Sequence, residues 1–299
     1  MWDTVIVGGG PAGLSAALVL SRCCRRVLVI DDARPRNARA HGVHNFLTRE
    51  GTPPARLRTL ARREVRRRGV TLRRGRVTAA VRRRGGGFDL TADGRRVATR
   101  TLLLATGIRD HAPAIPGIAR YAGCGVYYCA YCDGYTVRDR PLVALGHGVG
   151  GAELALALTT WSDRVTYCTN GSPRPRGNVC AQLGRYGITV VPDRVVALEG
   201  ATHLQRLVLA GGTRLACRGL FVQEGDRPQS DLAERLGCDL TRGGSVRTRS
   251  GGHTTVPSLY VAGDAADDVR AVVVAAASGA KAAFAINKEL REARCRLRT

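Results

Sequence analysis

The stretch Val5-Ile6-Val7-Gly8-Gly9-Gly10-Pro11-Ala12-Gly13-Leu14 decides the fold of this 299-residue chain. Three consecutive apolar residues predict a buried strand, the glycines a tight turn, and Leu14–Leu20 a helix. Gly8, Gly10 and Gly13 stand at the G-x-G-x-x-G spacing, with Pro11 and Ala12 completing the loop. Such a loop sets backbone N–H groups and a helix N-terminus against a pyrophosphate. Gly8 permits the turn, Gly10 lets the backbone approach the phosphates, and Gly13 lets helix and strand pack closely. The next strand, Val27–Ile30, ends in Asp31-Asp32, where Asp31 lies eighteen positions past Gly13. A carboxylate there accepts bonds from ribose hydroxyls. Asp31 is expected to be the ligand and Asp32 to face outward. Glycines alone are a weak signal; strand, helix and acid together mark a dinucleotide loop, without separating FAD from NAD.

The pattern recurs over Pro141–Cys168, with Gly146-His147-Gly148-Val149-Gly150-Gly151 as the turn. Two such βαβ units imply two nucleotide-binding sheets. Between them lie a basic helix around Pro54–Arg68 and a β-rich stretch, Thr71–Thr101, broken by Gly85-Gly86-Gly87 and Asp93-Gly94. A short buried strand then ends in Leu104-Ala105-Thr106-Gly107, and Pro113 and Pro116-Gly117 mark a linker. The second unit runs to about Leu240. A last strand, Ser258–Ala262, precedes Gly263-Asp264 and a long helix from about Arg270 to Arg291. The predicted architecture is α/β: two Rossmann-like, three-layer ββα domains, with 113–240 inserted into a first domain made of 1–112 and 241–299.

Apolar residues make up 44% of the chain, enough for buried cores, yet no run approaches the roughly 18 apolar residues of a membrane span. Met1-Trp2-Asp3 leads straight into the first strand with no basic region or cleavage site, so the expected location is the cytoplasm. The net charge of +23 is almost wholly arginine, since Lys281 and Lys288 are the only lysines. It could attract nucleic acid or acidic partners. No nucleic-acid motif accompanies it. The Pro54–Arg68 helix sets Leu57, Leu60, Ala61 and Val65 on one face, which reads as a solvated amphipathic helix more readily than a nucleic-acid groove.

Ten cysteines in a cytosolic chain argue against a disulfide scaffold. Cys168, Cys180, Cys217, Cys238 and Cys295 are isolated and read as packing or surface residues. Cys23-Cys24 are adjacent and expected in the first helix, pointing in different directions. Only Cys129-Ala130-Tyr131-Cys132-Asp133-Gly134 has a spacing that suggests chemistry. Two cysteines three apart close a small disulfide ring, and a turn leading into a helix favours the thiolate. Asp133 can carry a proton to or from the leaving thiol. The same spacing can be half of a zinc site, but no second CxxC or suitably spaced histidine pair supplies the other half. No metal is expected.

Tyr260-Val261-Ala262-Gly263-Asp264 resembles the second FAD motif of flavoprotein disulfide reductases, where the aspartate binds the ribityl chain, and Leu104-Ala105-Thr106-Gly107 resembles their linking motif. Asp264 also fits a helix N-cap. The order of first glycine loop, linking motif, CxxCDG, inserted second glycine loop and terminal Gly-Asp is similar over nearly the whole chain to low-molecular-weight bacterial thioredoxin reductases. That resemblance implies FAD in the first domain, Cys132 against the flavin, Cys129 exchanging with the substrate disulfide, and Asp133 as proton donor. It also implies flavin contacts from Arg270 and Asn45, with Ala271 at the glutamine-like position after the arginine, and a soluble homodimer.

The second loop departs from the family. Gly146, Gly148 and Gly151 are correctly spaced for NADPH, but the strand Arg164–Cys168 is followed by Thr169-Asn170-Gly171-Ser172-Pro173. NAD needs an acid there, and thioredoxin reductases carry a His-Arg-Arg run for the 2′-phosphate. Arg174 and Arg176 lie nearby between prolines. A branch of thioredoxin-reductase-like flavoproteins closes disulfides in small dithiols, as in gliotoxin and holomycin biosynthesis, without nicotinamide specificity residues. Val137-Arg138-Asp139-Arg140-Pro141 and Trp161-Ser162-Asp163 resemble that branch, whereas Asp133 is the thioredoxin reductase residue in place of the branch's histidine. Three readings follow: a dithiol oxidase without NADPH, an NADPH-dependent thioredoxin reductase using Arg174 or Arg176, and a basic flavin-binding regulatory module. The partner is accordingly a thioredoxin-like protein or a small dithiol or disulfide.

Overall fold

The computed structural model describes residues 1–223, 225–266 and 269–296. The chain divides into two compact units: Met1–Ala38, Gly42–Arg109 and Asp226–Thr299 form the first, and Arg39–His41 with Asp110–Gly225 the second.

The first unit opens with β1 (Trp2–Val7), α1 (Pro11–Arg22), β2 (Val27–Asp31), α2 (Pro54–Arg67) and β3 (Thr71–Arg74). A meander of β4 (Val77–Arg82), β5 (Phe88–Ala92) and β6 (Arg95–Leu104) follows, then β7 (Ile108–Asp110). The second unit contains β8 (Val126–Tyr127), α3 (Ala130–Asp133), β9 (Leu142–Gly146), α4 (Gly148–Leu158) and β10 (Val165–Cys168). It continues through α5 (Asn178–Arg185), β11 (Thr189–Val191), β12 (Val195–Glu199), β13 (Arg206–Leu209), β14 (Arg214–Ala216) and β15 (Gly219–Gln223). The chain returns through β16 (Asp226–Pro228), α6 (Leu232–Arg235), β17 (Leu259–Val261) and α7 (Val272–Arg296).

The first unit's sheet runs β3-β2-β1-β6-β5-β4, with β17 also on β6. β1, β2, β3, β17 and the second half of β6 are parallel, and the meander is antiparallel. Side chains of the central strands alternate between faces. Val5, Val7, Leu28, Ile30, Leu102 and Leu104 pack with Phe88 and Leu90 of the meander. Ile6, Val27, Val29, Leu103 and Tyr260 face the other way, onto α1 and α7. Burying each such aliphatic side chain contributes roughly 1.5–3 kcal/mol. Gly279 lets α7 lie against α1, since a Cβ there would come 2.0 Å from the Ala12 carbonyl oxygen.

The second unit has an all-parallel sheet, β11-β10-β9-β15-β8, and an antiparallel β12-β13-β14 sheet. Both units are Rossmann-like, and the second is inserted into the discontinuous first.

Two expectations are corrected. The return falls at Asp226 rather than at 241, because Leu232, Ala233 and Cys238 pack into the first unit's core beside Val246. Cys23 and Cys24 lie outside α1: Cys23 caps it, and Cys24 has a left-handed φ of 57° that turns the chain toward β2.

Candidate flavin and redox-disulfide sites

The first glycine loop is built as its spacing requires. Gly8 has φ +108°, and a Cβ on it would lie 2.2 Å from the Ala105 carbonyl oxygen. A Cβ on Gly13 would lie 2.0 Å from the Gly8 carbonyl oxygen. Gly10 differs: its Cβ would meet no protein atom within 4 Å. Pro11 opens α1 at a position whose N–H has no helical partner. The loop is therefore closed beneath and open at Gly10, the cradle a dinucleotide diphosphate needs.

Asp31 lies against this loop, since a Cβ on Gly9 would come 2.8 Å from its carboxylate. Arg62 of α2 donates to Asp31 Oδ2 at 3.0 Å. Arg62 is one of several arginines on α2, and its place one turn before Arg66 gives no local signal of this pairing. Asp32 instead accepts the Arg34 N–H at 3.2 Å. Gly263 has φ +72° and approaches Ala12, and its N–H donates to Ser278 Oγ at 3.1 Å. Asp264 pairs with Arg36 at 3.6 Å. Thr106 follows β6 beside Gly8, and the Gly107 carbonyl accepts the Gln229 N–H at 3.0 Å. Arg270 and Ala271 lead into α7, where the Ala271 carbonyl accepts the Ala275 N–H. Asn45, with φ 59°, sits on the loop closed by the Val43–Thr52 bridge, and its N–H donates to Glu50 Oε2 at 2.8 Å. His44 holds the other oxygen of Glu50, and these bonds lower the Glu50 pKa.

In the second unit Cys129 and Cys132 form a disulfide, with Cα atoms 5.2 Å apart. Cys129 caps α3, and its Sγ accepts the Cys132 N–H at 3.1 Å. Asp133 follows, its N–H donating to the Cys129 carbonyl at 3.2 Å. Tyr127 is buried beneath this turn with its ring 5.2 Å from that of Phe221. Burial, and then the Asp133 carboxylate, push its hydroxyl pKa up to about 12. Tyr131, between the cysteines, is 75% exposed and meets Trp161 edge to face. Trp161 in turn requires Gly134, whose Cβ would fall 2.6 Å from the indole. The sequence marked Trp161 only by its resemblance to the dithiol-closing branch and Tyr127 not at all, because each joins this site only through tertiary packing.

The second glycine loop keeps its shape. Gly146 packs against Gln223 and Gly151, and Gly151 against Tyr167. The Tyr167 hydroxyl donates to the Gly148 carbonyl at 3.0 Å. Past β10, however, the side chains serve the protein itself. Thr169 is fully buried and donates to the Ser172 carbonyl. Asn170 has φ 51°, and its Oδ1 accepts the Val195 N–H at 3.0 Å. His147 bonds Ser172 Oγ at 3.3 Å. Arg174 and Arg176 are exposed on the segment beyond.

Two dinucleotide folds, with a two-cysteine disulfide carried on the second, define a nucleotide-dependent disulfide oxidoreductase. The chain belongs to the pyridine nucleotide-disulphide oxidoreductase family, whose pattern matches residues 2–279. A thioredoxin reductase of Aquifex aeolicus is 28% identical, over 97% of this chain and 94% of its own. One from Claviceps purpurea is 30% identical, over 88% and 86%. The crystal structure of HlmI superposes with a TM-score of 0.92 at 34% identity, over 97% of this chain and 93% of that one. The chain is an FAD-dependent disulfide oxidoreductase of the thioredoxin reductase-like kind. No described helix is long and apolar enough to cross a membrane.

Proposed function

We propose that this protein is a dithiol oxidase that works through Cys129 and Cys132 without a nicotinamide nucleotide. The observation carrying this reading is the turn after β10. Its buried Thr169 and its Asn170, bonded to Val195 N, occupy the place where a nucleotide-selecting side chain is needed. Neither an acid for a ribose nor an arginine for a 2′-phosphate stands on that turn.

FAD would be held by Gly8, Gly10, Pro11, Ala12, Gly13 and Asp31, with Thr106, Gly107, Gly263, Asp264, Arg270, Ala271 and Asn45 around it. Bound there, it supplies a two-electron acceptor that oxygen can restore. The chain's own steps are thiol–disulfide exchange. A substrate thiolate attacks Cys129 Sγ, breaking the Cys129–Cys132 bond and releasing Cys132 as thiolate. The second substrate thiolate attacks the substrate sulfur bonded to Cys129, forming the product disulfide and releasing Cys129 as thiolate. The backbone N–H of Cys132, aimed at Cys129 Sγ, favours the thiolate in that departure. Asp133 exchanges the accompanying proton. The two substrate electrons then reside on the cysteine pair.

The alternative is an NADPH-dependent thioredoxin reductase, favoured by the intact glycine turn and the exposed Arg174 and Arg176. It would run the same exchange in reverse. Anaerobic mixing separates the two. Under the first reading a dithiol such as dithiothreitol bleaches the flavin band, NADPH does not, and peroxide appears on aeration. Rapid bleaching by NADPH rejects it. Under both, Cys132→Ser abolishes turnover, by at least about 10³-fold, whereas a purely regulatory flavin module would be unaffected. We further propose a homodimer in the cytoplasm, consistent with the exposed Val273 and Phe284 on α7.

A further inference from the structure

The charge is unevenly divided. The first unit holds 35 basic and 16 acidic residues, net +19, and the second 12 and 8, net +4. Within the first unit, Arg56–Arg100 contains 16 arginines against three acids. Strand register brings much of this to one edge. Trp2 pairs with Thr99 and Phe88 with Thr99, Arg82 pairs with Phe88, and Thr71 pairs with Leu28, two residues after Arg26. The strand starts of β1, β2 and β3 therefore share an edge with Arg26, Arg66–Arg68, the β4–β5 turn at Arg82–Arg84, and Arg100. All are exposed. Contacts confirm the clustering: Asp3 accepts both the Arg26 N–H at 2.9 Å and Arg100 at 3.3 Å, and Arg83 reaches Met1 Sδ at 3.2 Å.

Few acids offset them. Asp3 pairs with the Arg100 guanidinium alone, its other bond being to the Arg26 backbone, and Asp89 pairs loosely with Arg83 at 3.8 Å. Maintaining so many like charges at one edge opposes folding unless counter-charge gathers there. Guanidinium forks match phosphate oxygens in pairs, and the basic residues named at this edge are all arginines. Acidic proteins bind best around a desolvated apolar centre. This edge offers only scattered apolar exposure, at Met1 and Val81. The glycine loop follows the far end of β1, about 20 Å along the six-residue strand. An occupant of the edge would leave the flavin cradle clear.

We propose that this arginine edge binds the phosphodiester backbone of double-stranded nucleic acid, by charge and without reading bases. Viewed alone, α2 is a solvated amphipathic helix; the structure adds three further segments to the same face, which sequence periodicity did not show. The inference is independent of whether the enzyme uses NADPH.

The test is fluorescence anisotropy of a labelled mixed-sequence duplex of about 20 base pairs with flavin-loaded protein, from about 50 to about 200 mM NaCl. Two variants remove three charges from the edge: Arg66→Gln/Arg67→Gln/Arg68→Gln and Arg82→Gln/Arg83→Gln/Arg84→Gln. Arg120→Gln/Arg185→Gln/Arg194→Gln removes three exposed charges from the second unit. Each edge variant is expected to weaken binding at least about tenfold and flatten the log–log salt slope by about 2 to 3, with the control within about threefold. Equal losses in all three overturn the proposal in favour of bulk charge. Tighter binding of polyglutamate than of duplex overturns it in favour of an acidic protein. If the α2 variant loses its flavin, the hairpin variant alone decides.

Discussion

Gly10 and Gly13 separate binding from folding within one loop. A methyl group at Gly13 would overlap the Gly8 carbonyl oxygen at 2.0 Å, so Gly13→Ala must shift α1 away from β1. Overpacking of that kind costs about 1–3 kcal/mol, and the variant should melt earlier as apoprotein. A methyl at Gly10 meets no protein atom within 4 Å. Gly10→Ala should therefore leave apoprotein stability nearly unchanged while weakening FAD at least about tenfold, because the methyl stands where the diphosphate would lie. Titrating FAD into each apoprotein, beside urea melts, checks both; equal stability losses would defeat the distinction. These glycines were legible because their roles depend on neighbours within a few positions. Arg62 on Asp31 was not legible. Its pairing joins residues 31 apart, and nothing in the arginine-rich α2 sequence distinguishes Arg62 from Arg63.

At the scale of elements, β9, α4 and β10 follow from local pattern, whereas the turn after β10 does not. Asn170 is held by Val195 at the start of β12, so its commitment depends on a strand 25 residues later. The CxxC spacing marked α3, but its setting against Tyr127, Phe221 and Trp161 needed the folded sheet. The domain return was misplaced for a similar reason: nothing local to Leu232 and Ala233 assigns them to one unit, and only their packing into the first unit's core does. β10 also carries a pH dependence. Cys168 is fully buried, and burial pushes its thiol pKa up to about 12 from an ordinary value near 9. The folded form keeps the proton that the unfolded chain loses above about pH 9. Stability is therefore complete below pH 9 and falls as pH rises toward 12, by about 1.4 kcal/mol per unit. Cys168→Val should remove this component. Urea melts at about pH 8 and about pH 10.5 should show the wild type losing about 2 kcal/mol more than the variant. Parallel losses in both would mean that Cys168 does not contribute.

For the whole molecule, the +23 charge acts on stability as well as on partners. Its density along the chain was readable from the start, but its gathering on one edge of the first unit was not, because that depends on which strand ends align. Arginines clustered there repel one another over distances set by ionic strength. The Debye length shrinks from about 14 Å near 0.05 M salt to about 4 Å near 0.5 M. Exposed neighbours on the edge interact across such distances, so added NaCl should stabilise the fold, opposite to the effect on a protein held by surface ion pairs. A relief of about 1 kcal/mol corresponds to a rise of roughly 2–4 °C in Tm for a domain of this size. The arginine-to-glutamine edge variants have less repulsion to screen. Their Tm should start higher at low salt and climb less. Scanning calorimetry in NaCl, not sulfate or phosphate, isolates screening from anion binding. A wild-type Tm that stays flat or falls with salt would mean that pairs such as Arg62–Asp31 and Arg206–Glu199 already balance the arginines, and the repulsive picture of this edge would fail.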